Sequence, residues 1–84
     1  MNYNFIKHPD LSLQILKSMM ALLDYMDQRD DRYNIILTIK NILKGDKENK
    51  RYFLDNGGTK KFTDIILTSN DLQLTEICIQ GIAE

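Results

Sequence analysis

The chain has one cysteine, Cys78, and one histidine, His8, and they stand seventy residues apart. A nucleophilic cysteine needs a neighbouring base to stabilise its thiolate. Cys78 has no base in its own segment and falls on an apolar stripe, so it reads as a small buried residue. His8 precedes Pro9 with no cysteine or acid cluster beside it. A zinc site takes about four Cys, His or carboxylate ligands at close spacing, and no such set occurs. Asp27, Asp30 and Asp31 could suggest paired carboxylates, but adjacent positions on a helix do not face one substrate. They are expected to cap a helix instead. Asn56-Gly57-Gly58-Thr59-Lys60 has the glycines and lysine of a phosphate loop without its Gly-x4-Gly-Lys-Ser/Thr spacing or a preceding strand. It reads as a turn between helices. No catalytic residue, metal or cofactor is expected, and the chain is read as a non-enzyme.

The remaining chemistry is charge. Between Lys40 and Lys61 lie seven bases (Lys40, Lys44, Lys47, Lys50, Arg51, Lys60, Lys61) and three acids (Asp46, Glu48, Asp55). Lys40, Lys44 and Lys47 fall near the end of a predicted helix, where the backbone dipole favours cations. The whole chain carries a net charge of −1. That balance does not call for nucleic acid, and no direct contact with it is expected. No apolar run approaches the ~18 residues of a membrane span, so no insertion is expected. The first ten residues lack the apolar core of a signal peptide. With an unpaired cysteine, that points to a reducing compartment.

These residues are positioned by a series of predicted helices. Residues 1–10 read as a flexible lead-in ending at Pro9-Asp10. Leu11, Ile15, Met19, Leu22, Leu23 and Met26 then recur at helical spacing, with Asp10 or Ser12 as candidate caps. Tyr33, Ile35, Ile36, Ile39, Ile42 and Leu43 form a second stripe. Its isoleucines raise the possibility of a strand, but the length and the three- and four-residue spacing favour a helix. Gly45-Asp46 ends it. A short helix is predicted over Lys47–Asp55, stopped at Asn56-Gly57-Gly58, where a positive φ suits glycine. Thr59 is the expected cap of the next helix, with Phe62, Ile65 and Ile66 on one face. Ser69-Asn70-Asp71 breaks and caps again. Leu74, Ile77, Cys78, Gly81 and Ile82 form the last stripe, which runs to Glu84 with no stop signal, so continuation into a longer helical array is expected.

The breaks at Asp30-Asp31 and Asn70-Asp71 are forty residues apart, within reach of the ~40–47 residue period of armadillo and HEAT units. Gly45-Asp46-Lys47-Glu48-Asn49-Lys50 resembles the loop Gly-Asn-Pro-Glu-Asn-Arg that opens the short first helix of an armadillo repeat. Gly57 matches the glycine between its first and second helices, and Asp71 the aspartate opening its third. Cys78 and Gly81 match the small residues of that third helix, with Ile82 as the apolar anchor. Lys47 stands where the family has proline. The resemblance covers residues 30–84 and implies an all-α, armadillo-type α–α superhelix of about two repeats. Residues 11–45 would be the first helix pair, acting as an N-terminal cap, and residues 46–84 an armadillo-like repeat.

A narrower resemblance is to the N-terminal repeat region of the telomere repeats-binding bouquet formation family. It is carried by Leu37-Thr38-Ile39, Tyr52-Phe53, Gly57-Gly58, Phe62, Ser69, Glu76 and Gly81-Ile82-Ala83-Glu84. It implies a meiotic role in attaching telomeres to the nuclear envelope and in homologue pairing. Telomere-binding or nuclear-envelope proteins would be the partners, and the location nuclear, with a cytoplasmic location as the alternative. Function is therefore expected to be a protein–protein interaction scaffold, because stacked repeats present long concave surfaces. The residues expected to meet a partner are Lys40, Asn41, Lys44, Lys47 and Gln80. Asn41 aligns with the asparagine that import-type armadillo proteins use to hold a peptide backbone. Leu37 stands where those proteins carry tryptophan, and the chain has no tryptophan. An adaptor or peptide-cargo receptor is the alternative function.

Overall fold

Helix α1 runs Pro9–Tyr25 in a computed structural model that describes residues 9–83. Asp10 and Ser12, the candidate caps, both lie inside it. Of the lead-in expected at residues 1–10, Pro9 and Asp10 are helical; residues 1–8, with His8, lie outside the described residues, as does Glu84. Four more helices follow: α2 Arg29–Leu43, α3 Lys47–Asp55, α4 Gly58–Thr68 and α5 Leu72–Ala83. No strand occurs among the described residues. The protein is all-α, and the isoleucine-rich segment is helical.

Local signals explain most boundaries. Asp46 caps α3, its carboxylate accepting from the Asn49 amide at 3.0 Å. Gly45 and Gly57 both take φ +78°, a left-handed conformation that glycine adopts without steric penalty. Gly57 is also the N-cap of α4. Thr59 therefore sits within the helix it was expected to cap. Likewise, α2 is preceded by Gln28, which makes no side-chain cap bond, and Asp30 and Asp31 fall in the first helical turn. Their carboxylates favour the dipole there without capping. At α5, Asp71 accepts from the Leu74 amide at 3.1 Å, and the Ser69 hydroxyl accepts from the Asp71 amide at 3.0 Å.

Helix α2 is the centre of the packing. It lies against α1 on one side and α5 on the other, and α4 packs on α5. Helix α3 bridges the two pairs, touching α1, α2 and α4. Leu16, Met20 and Leu23 of α1 meet Ile35, Ile36, Ile39 and Leu43 of α2 in one core with Phe53, Phe62, Ile65, Leu74, Ile77 and Cys78. Met20 lies in this core, and Met19 and Met26 pack on its edge. Ile82, expected as an anchor, is 38% exposed; Gly81 faces the core in its place.

Phe62 is fully buried and meets Phe53 edge-on, with ring centroids 5.0 Å apart at 72°. Two glycines make room for the pair. A Cβ on Gly81 would come within 2.6 Å of the Phe62 ring, and one on Gly58 would run into Phe53. Truncating Phe62 would leave a cavity where α3, α4 and α5 converge. Phe62→Ala is expected to lose about 3–5 kcal/mol, read as a fall in the urea midpoint at unchanged slope. A loss below about 1 kcal/mol would mean the site collapses around the missing ring.

Asn49 is the one buried polar residue of this core, 1% exposed, and its Nδ2 has no hydrogen-bond partner among the described residues. A buried unpaired donor costs about 1–3 kcal/mol. Asn49→Leu, which keeps the bulk without the donor, is expected to raise stability by about 1 kcal/mol. Asn49→Asp should lower it by more than about 1 kcal/mol by burying a charge. Equilibrium denaturation of the two variants checks both signs.

Candidate partner-binding face

The predicted partner-facing residues do not form one patch. Lys40 of α2 and Gln80 of α5 come together, with the ammonium donating to Oε1 at 2.9 Å. Asn41 is exposed on α2. With Lys44 it opens onto a cleft of about 480 Å³ whose other wall is Leu11 and Ile15 of α1. Lys47 faces a different cleft, of about 490 Å³, between α1 and α3 with Arg51, Tyr52 and Leu13. There Lys17 lies over the Tyr52 ring, 5.3 Å from its centroid. Leu37 is partly buried against the core, one turn before Asn41.

The basic run between Lys40 and Lys61 is also divided. Lys60 pairs with Asp64 at 3.1 Å along α4, and Lys61 reaches Asp24 of α1 at 2.6 Å. Lys44, Lys47, Lys50 and Arg51 have no hydrogen-bond or ion-pair partner among the described residues.

The best-connected charged residue was not singled out from sequence. Arg29, at the start of α2, donates from Nε to Asp71 Oδ2 at 2.5 Å and from Nη2 to Oδ1 at 3.5 Å. It also donates to Gln73, and to Asp30 at 3.0 Å, while its guanidinium stacks over Tyr33 at 5.1 Å. Asp71 thus has two roles, capping α5 and joining it to α2. The signal was present in the equivalence of the Asp30-Asp31 and Asn70-Asp71 breaks, which sets the start of α2 beside the start of α5. Nearby, Arg32 Nε donates to the Met26 carbonyl at 2.6 Å and closes the end of α1.

Hydrogen bonding to Asp71, then to Asp30, raises the Arg29 pKa. The Arg29 hydrogen bond, then the Leu74 amide, holds the Asp71 carboxyl below its usual 3.8. Burial pushes the Cys78 thiol up to about 11, so it is protonated at neutral pH and a poor nucleophile. Among the described residues no group of three or more His, Cys, Asp or Glu is placed to hold a metal ion. No described helix is long and apolar enough to cross a membrane. No family model, curated protein or solved structure matches the chain.

The Arg29–Asp71 tie gives stability a pH dependence of known sign. A carboxyl depressed in the folded state contributes fully above its unfolded value and loses that contribution as pH falls through the folded value. Arg29 is charged throughout this range. The denaturation midpoint is therefore expected to fall as pH drops below about 4, and to fall less in Asp71→Asn. That variant keeps an oxygen for the Leu74 amide but no charge for Arg29. Equal falls in both proteins would exclude the tie as a source of acid sensitivity.

Proposed function

We propose that this chain is a non-catalytic protein-interaction scaffold with an armadillo-type repeat architecture, whose docking face is built on α2 and α5. The observation that carries the reading is the pairing of these two helices. Arg29 meets Asp71 and Lys40 meets Gln80, contacts separated by 42 and 40 residues. Both join like ends of the two helices, so α2 and α5 run side by side in the same direction. A parallel stacking of helices about one repeat apart is what a two- or three-helix unit of ~40–47 residues produces when it repeats. It brings Lys40 of α2 against Gln80 of α5, with Asn41 exposed on the neighbouring face of α2. These side chains are polar, which suits the binding of a protein partner.

The sequence resemblance to the bouquet formation family makes telomere-binding or nuclear-envelope proteins the partners, and the chain nuclear. A fluorescently tagged chain in meiotic cells is then expected to form foci at chromosome ends. Lys40→Glu combined with Asn41→Ala should disperse those foci while leaving the circular dichroism spectrum intact. Diffuse cytoplasmic signal from the unaltered chain would remove the telomere reading. Foci indifferent to the double variant would move the docking face elsewhere.

The exposure of Asn41 favours one second reading, an adaptor or transport receptor that holds an extended basic peptide. Saturable binding of such a peptide, abolished in Asn41→Ala, would support it over the first.

A further inference from the structure

We draw no further inference here: the strongest candidate, the cleft of about 480 Å³ between α1 and α2 lined by Leu11, Ile15, Asn41 and Ile42, carries nothing because nothing in the structure shows what covers it.

Discussion

Helix α2 has to be covered on two sides, and the positions of the other helices follow from that. Its buried residues Ile35, Ile36, Ile39 and Leu43 form one face, and the partly buried Tyr33, Leu37 and Ile42 widen it to either side, beyond what one neighbour covers. Helix α1 takes one flank and α5 the other, with α3 crossing near the end. Isoleucine gives up side-chain freedom in a helix, by a few tenths of a kcal/mol relative to leucine. Burying each side chain returns about 1.5–3 kcal/mol. The tertiary term is several-fold larger, so a segment with strand-like composition is helical because it is enclosed.

The polar contacts act on a different scale. Exposed ion pairs contribute ~0–1 kcal/mol, and the pairs Lys60–Asp64 and Lys61–Asp24 are largely of that kind, with side chains 27–80% exposed. Arg29 and Asp71 are better placed: their side chains are 39% and 30% exposed, and the guanidinium is held from several sides. Even so, their main effect is positional. An apolar interface between two helices tolerates a shift along the axis better than a bidentate charge contact does. The Arg29–Asp71 tie at one end of the α2–α5 pair and Lys40–Gln80 at the other fix the register that the isoleucines leave loose.

Most of the helical framework was legible in the sequence because its signals are local. Gly57 had to supply a positive φ and does; Asp71 had to cap α5 and does. The failures are those in which a neighbour in space decided the outcome. Asp30 and Asp31 resemble caps in isolation, but α2 starts earlier, at Arg29, which Asp71 holds from 42 residues away. Asn49 falls within the predicted helix Lys47–Asp55 with nothing local to mark it as buried, yet the packing of α3 encloses it. The basic run looked like one patch because its members are close in sequence. Its two ends are instead drawn to Asp24, Asp64 and Gln80 on other faces or elements, leaving the middle on α3. Of the predicted partner residues, only Lys40 and Gln80 meet, and they are 40 residues apart, the same separation as the two breaks, which was the one long-range feature visible in the sequence.

The same pairing orders the buried residues of α5. At the 42-residue separation of Arg29 and Asp71, Ile36 and Ile39 of α2 correspond to Cys78 and Gly81 of α5, and all four positions are buried. The two helices thus present matching positions to one core, and the close approach at Gly81 makes room there for the Phe62 ring. Leu72, Ile79 and Ile82, at 84%, 52% and 38% exposure, are left outside it, and scattered apolar side chains on a surface are ordinary.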